Sequence, residues 1–122
     1  MIVDDELSIL ELYKLLFTSV GFKIAGMAKN GKEAVEMYKS FPNKPDVIIM
    51  DHRMPIMNGI EASREILQFD KDAKIIFASA DMTVQKEATS IGVISFKGKP
   101  FNTNRLINNV KKAMEQPINS LH

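Results

Sequence analysis

The sequence predicts an α/β fold: a parallel sheet of five strands alternating with five helices, doubly wound so that helices cover both faces. Three observations predict it. Short apolar runs alternate along the chain with amphipathic stretches whose apolar residues recur at steps of three and four. The run from Val47 to Met50 is apolar on both faces, as a strand of a covered parallel sheet must be. Polar side chains that could do chemistry fall at the carboxyl ends of the apolar runs, where open α/β sheets gather their ligands.

The elements follow in order. "MIV" is a short first strand. From Glu6 to Val20 the pattern is helical, with Ile9, Leu12, Tyr13, Leu16, Phe17 and Val20 on the inward stripe. Leu7, Leu10 and Leu15 then lie off that stripe and make a candidate docking surface. Gly21 ends the helix. "FKIAGMA" reads as the second strand. "GKEAVEMYKSF" reads as the second helix, with Asn30 as its N-cap. Pro42 and Pro45 bracket a loop, and "DVIIMD" is the buried third strand. "GIEASREILQFD" is a helix with Ile60, Ile66 and Leu67 near one face. "AKIIFASA" is the fourth strand, "TVQKEATSIG" a shorter helix weakened by Thr83, Thr89 and Ser90, and "VISF" the last strand. The final helix runs from about Thr103 to Gln116, with Leu106, Ile107, Val110, Ala113 and Met114 on one stripe, and Pro117 stops it. The crossovers are expected to be right-handed.

Composition narrows the function. At 122 residues, 45% hydrophobic and 25% charged, the chain has the length and balance of one domain with a real core. A net charge of +1 argues against a basic nucleic-acid surface. There is no cysteine, hence no disulfide framework, zinc thiolate or thiol nucleophile. His52 and His122 are too far apart in sequence to suggest a histidine metal site. No apolar run approaches the ~20 residues needed to span a bilayer. Acids follow at once in "MIVDDE", so no signal peptide is visible, and a cytoplasmic protein is the default.

The chemistry lies in a constellation. Strand one ends in Asp4 and Asp5, strand three in Asp51, and strand four in Ser79; Lys99 and Pro100 follow strand five. The predicted fold brings these side chains to one end of the sheet. Like-charged carboxylates repel there, by ~4 kcal/mol for a pair at 4 Å and an effective dielectric near 20. A bound cation relieves this most simply, and all-oxygen ligation suits Mg²⁺. An acceptor carboxylate, a divalent cation, a fixed ammonium and a hydroxyl are the parts needed to move a phosphoryl group.

These residues resemble a response-regulator receiver domain of the CheY-like kind along nearly the whole chain. The matching stretches are "VDDE" at 3–6, "MDHRMPIMNG" at 50–59, "ASA" at 78–80, Phe96, and "KPF" at 99–101. The resemblance implies a flavodoxin-like sheet of order 2-1-3-4-5, with residues 1–116 as the receiver and 117–122 as a tail or the start of a linker. It implies Asp51 as phosphoacceptor. Asp4, Asp5, Asp51 and the backbone carbonyl of Arg53 would hold Mg²⁺. Lys99 would bridge to the acceptor, and Ser79 and Phe96 would be the switch hydroxyl and switch aromatic. The Lys99–Pro100 peptide would be cis. Arg53 and Asp81 would flank the path of attacking water, and their opposite charges suggest an ion pair across the mouth of the site. The implied partner is a sensor histidine kinase or phosphotransfer protein, with a homodimer through helix 4, strand 5 and helix 5 left open. No membrane and no direct nucleic-acid contact are implied. Such a domain catalyses its own phosphorylation and dephosphorylation and turns over no separate substrate.

Other readings stand beside these. Asp4 and Asp5 could cap the first helix, and Ser79 could be a plain turn former. An aspartyl-phosphate phosphatase would want a second Asp at position 53, where Arg stands. A flavin module would want a Ser/Thr/Gly-rich phosphate loop where "DDELS" stands. A degenerate receiver would lack part of a site that is complete here.

Overall fold

In the computed structural model, which describes residues 1–99 and 102–115, strand and helix alternate throughout the described residues. The elements are β1 (Ile2–Val3), α1 (Leu7–Ser19), β2 (Met27–Ala28), α2 (Gly31–Ser40), β3 (Ile48–Met50), α3 (Gly59–Phe69), β4 (Ile75–Ser79), a 3₁₀ turn (Met82–Val84), α4 (Gln85–Ile91), β5 (Ser95–Gly98) and α5 (Thr103–Glu115). All strand pairs are parallel, in the order β2-β1-β3-β4-β5. This is the flavodoxin-like arrangement.

Strand side chains alternate between two cores. Val3, Ile48, Met50, Ile75 and Phe77 face α2, α3 and α4, where they meet Ala34, Tyr38, Ile60, Ile66 and Ala88. Ile2, Ile49, Ile76 and Ala78 face α1 and α5, against Leu10, Tyr13, Phe17, Leu106 and Val110. Each fully buried large side chain contributes about 1.5–3 kcal/mol relative to exposure. The double winding follows directly: a strand that is apolar on both faces needs a helix on each.

Helix ends are set locally. The Asn30 side chain accepts the Glu33 N–H at the start of α2. Asn58 and Glu61 form a reciprocal capping box at the start of α3. Gly21, at φ +94°, ends α1 in a Schellman turn: Phe22 N–H reaches the Phe17 carbonyl at 3.0 Å, Gly21 N–H reaches that of Thr18, and the rings of Phe17 and Phe22 meet.

The structure corrects several details of the sequence reading. Leu10 is a core residue, 1% exposed, whereas Leu12 and Val20 face outward with Leu7 and Leu15. Met114 is also exposed and leaves the α5 stripe. β2 keeps only Met27 and Ala28, because β1 offers it only two residues to pair with. β5 lies two residues later than "VISF", because Ser95–Gly98 pairs in register with Ile76–Ser79. The fourth helix splits into the 3₁₀ turn and α4, which Gly92 closes at φ +109°.

Candidate functional site

The carboxyl ends of β1, β3, β4 and β5 meet at one end of the sheet. β1 delivers Asp4, which is fully buried, and β3 delivers Asp51 beside it. The Lys99 ammonium joins them, 2.8 Å from Asp4 Oδ2 and 3.4 Å from Asp51 Oδ1. Lys99 is aimed there by the sheet itself, since its backbone N–H donates to the Ser79 carbonyl at 2.8 Å and so extends the β4–β5 ladder.

Electrostatics distinguish the two acids. Burial pushes the Asp51 carboxyl up to about 6; Lys99 opposes the rise and Asp4 adds to it. Burial works against the Lys99 ammonium, but its bond to Asp4 and the charge of Asp51 outweigh it and hold Lys99 above its ordinary value. Asp4 serves two partners: Oδ2 takes Lys99, while Oδ1 accepts the Glu6 N–H at 3.0 Å, an Asx turn that starts α1. This turn precedes the helix rather than capping it: Glu6 is the N-cap of α1, and no side chain, of Asp4 or Asp5, caps the helix. Asp5 is exposed, and its carboxylate oxygen lies within 4.8 Å of oxygens of Asp4 and Glu6. Glu6 is a member of this group that the sequence reading missed; the "DDE" run was the signal available.

The turn after Asp51 is held in place by glycine. Gly59 N–H donates to the His52 carbonyl at 2.9 Å, and a Cβ on Gly59 would overlap the Asp51 carbonyl oxygen. Only glycine lets α3 start this close to the end of β3. Gly31 N–H likewise takes the Met57 carbonyl at 2.9 Å, tying the loop to α2. Between them Met57 N–H reaches back to the Pro55 carbonyl at 2.7 Å around Ile56, whose φ is +70°. That is a γ-turn of the strained hand, on a β-branched residue.

Ser79 is buried, and its Oγ accepts the Asp81 N–H at 3.0 Å, a bond that uses an oxygen lone pair and leaves the hydroxyl proton to donate. Arg53 and Asp81 form an ion pair at 3.2 Å, with Arg53 Nε also within 3.3 Å of the same oxygen. The Thr83 hydroxyl and amide, and then Arg53, hold the Asp81 carboxyl below its ordinary value. Phe96 is half-buried, its ring stacked on Phe77. The sequence reading also missed Tyr13 as a neighbour of this pocket. Burial pushes its hydroxyl up to about 12, with the charges of Lys99, Asp4 and Asp51 also acting on it. The expected cis bond to Pro100 lies outside the described residues.

The carboxylates of Asp4, Asp5 and Glu6 make a group that suits a hard divalent cation such as Mg²⁺; of the expected ligands, Asp51 is not in this group. A cavity of about 590 Å³ lies apart from this site, at the other end of the sheet between Phe17, Phe22, Val47 and Val110, and none of the residues named above as candidates lines it.

Comparison with known proteins agrees with this geometry. The model of the response regulator receiver domain matches residues 1–111. The chain is 42% identical over 114 residues to the chemotaxis protein CheY of Thermotoga maritima, covering 92% of this chain and 93% of that one. It is 36% identical to CheY of Bacillus subtilis over 116 residues, 93% of this chain and 95% of that one. Among solved structures it is similar to a CheX–CheY–BeF3–Mg complex from Borrelia burgdorferi, with TM-score 0.87, 34% identity and coverage of 94% and 87%. It is also similar to the response regulator TrrA from Thermotoga maritima in complex with Mg–BeF, with TM-score 0.83, 37% identity and coverage of 92% and 95%.

Proposed function

The chain belongs to the response-regulator receiver family of two-component signalling, and on that premise we propose that Asp51 is its phosphoacceptor. One observation carries the proposal. A carboxylate at a strand end is pushed up by burial while an ammonium 3.4 Å away reaches both it and a second buried acid. That is a costly arrangement for stability and an apt one for receiving an anion.

The donor is a phosphohistidine of a sensor kinase or phosphotransfer protein. An Asp51 oxygen attacks phosphorus, an O–P bond forms, the N–P bond to the donor imidazole breaks, and the imidazole keeps the electron pair. Lys99 follows the charge to the phosphoryl oxygens. Asp4, Asp5, Asp51 and the Arg53 carbonyl would hold Mg²⁺, which when bound supplies positive charge against the phosphoryl oxygens. Ser79 donates its free hydroxyl proton to one of those oxygens, and Phe96 answers on the face made by α4, β5 and α5. Attack by water later releases inorganic phosphate and restores the carboxylate. The domain so modifies itself and turns over no separate substrate. Among the described residues no helix is long and apolar enough to cross a membrane. We place the domain in the cytoplasm with its kinase.

The test is labelling with acetyl phosphate and Mg²⁺, read by intact mass. One phosphoryl group is expected on the wild type, none after EDTA, and none on Asp51→Asn. Undiminished labelling of that variant would move the acceptor elsewhere.

A further inference from the structure

We propose that Phe77 is a positioning residue that holds Phe96 turned into the sheet before Asp51 is modified, so that the α4–β5–α5 face is preset toward its switched form. The proposal rests on the reading of Phe96 as the switch aromatic.

Phe77 and Phe96 are direct partners in the parallel β4–β5 register, so their side chains leave the same face of the sheet side by side. Their ring centroids are 5.8 Å apart and their planes 14° from parallel. That is within the offset-stacked range in which aromatic pairs attract beyond their buried area. Phe77 cannot yield. It is fully buried, β3 flanks it on the other side with Met50 as its register partner, and its ring also meets that of His52 at 5.9 Å. The His52 main chain is tied to the start of α3 by the bond between its carbonyl and Gly59 N–H, while its ring Nδ1 has no hydrogen-bond partner among the described residues. Phe77 is thus enclosed between β3 and β5, and of the stacked pair it is Phe96, half-buried on the edge strand, that has room to swing. Next along the same face of β5, Gly98 has no side chain, and the Met82 thioether fills that space. An outward turn of Phe96 gives up the stack and bares the ring. An aliphatic residue at position 77 would fill volume without offering a flat surface to hold the ring.

The experiment reads the χ1 angle of Phe96 from three-bond couplings in ¹³C,¹⁵N-labelled protein, with and without beryllofluoride and Mg²⁺. The wild type should show one χ1 rotamer in both states. Phe77→Leu should average between rotamers when free and return to one rotamer with beryllofluoride. Phe77→Tyr, which keeps the flat ring, should restore the wild-type pattern. Averaging in the free wild type, or a single rotamer in free Phe77→Leu, would overturn the proposal. Should Phe77→Leu fail to fold, Phe77→Met replaces it with the same two outcomes. The Gly59 amide, beside Asp51, reports beryllofluoride binding separately. A wild type in which it does not move would refute the acceptor reading, while the couplings of the free protein would still judge the stack.

Discussion

Removing the Asp51 charge should stabilise the metal-free protein, and the gain should depend on pH in one direction. The Asp51 carboxyl rises from 3.8 to about 6 on folding, chiefly by burial. A raised acid keeps its proton in the folded state after the unfolded chain has lost it. Below about pH 4 both states are protonated and Asp51 has no effect. Between about 4 and 6 the unfolded chain binds fewer protons than the native one, so native stability falls as pH rises. Above about 6 both are ionised and the penalty is complete. At about 1.4 kcal/mol per pH unit the shift corresponds to about 3 kcal/mol as an upper bound. The Asp51 side chain is 12% exposed and water reaches its rim, so about 1–2 kcal/mol is the working figure. Asp51→Asn keeps the shape and removes the charge. Urea unfolding in EDTA should therefore find it about 1–2 kcal/mol more stable than wild type at pH 8, with the difference vanishing near pH 4. Mg²⁺ should narrow the gap at pH 8, because the cation favours the ionised wild type. A variant less stable than wild type at pH 8, or a difference that does not change with pH, would refute the reasoning.

Three further outcomes follow. Arg53→Ala and Asp81→Ala should each speed loss of phosphate from the labelled protein several-fold, and the double variant should do no more than either; additive effects in that cycle would mean the bridge does not shield the phosphoryl group from water. Leu15→Glu, on an exposed site of α1, should slow phosphotransfer from a cognate kinase and leave acetyl phosphate labelling unchanged, whereas Leu10→Glu buries a charge and should unfold the domain, lowering its stability by about 4 kcal/mol or more in urea. Ile56→Gly relieves the positive φ and should raise stability by about 1 kcal/mol in the same assay, against an expected loss if Ile56 were conformationally relaxed.

The fold was legible where periodicity and local chemistry agree. Asn30, Asn58 with Glu61, and Gly21 mark their helix ends by side chains that act within a few residues of themselves. The order of the strands came through the resemblance and matches the sheet. The details that failed are those decided by distant partners. α1 carries leucine almost all round its axis, so its own pattern could not tell Leu10 from Leu12; the seat of the helix on β1 and β3 decides. Lys97 and Gly98 look unlike strand residues, yet the ladder with Ala78 and Ser79 draws them into β5. In the site, Asp4, Asp51 and Lys99 were readable because each ends or follows a strand. Phe77 was not, since nothing in "IIFASA" distinguishes an aromatic that stacks on its neighbour from one that only fills the core.

The contacts around Ser79 tie the mouth of the site to its interior. The serine is held at two points: its hydroxyl oxygen by Asp81 N–H and its carbonyl by Lys99 N–H. Asp81 is in turn the partner of Arg53, and Lys99 the partner of Asp4 and Asp51. On the proposed reading, a Ser79 hydroxyl drawn toward a phosphoryl group on Asp51 either carries Asp81 with it, and so moves the Arg53 bridge at the mouth, or breaks the hydrogen bond from Asp81 N–H. Phe77 lies two residues before Ser79 on the same face of β4, and its ring meets Phe96 on β5. One strand so positions the Ser79 hydroxyl, the Ser79 carbonyl that receives Lys99 N–H and the Phe77 ring on which Phe96 stacks. β4 is the longest strand and is buried at every position, as the shorter β1 and β3 are, so a displacement at Ser79 arises in close-packed surroundings.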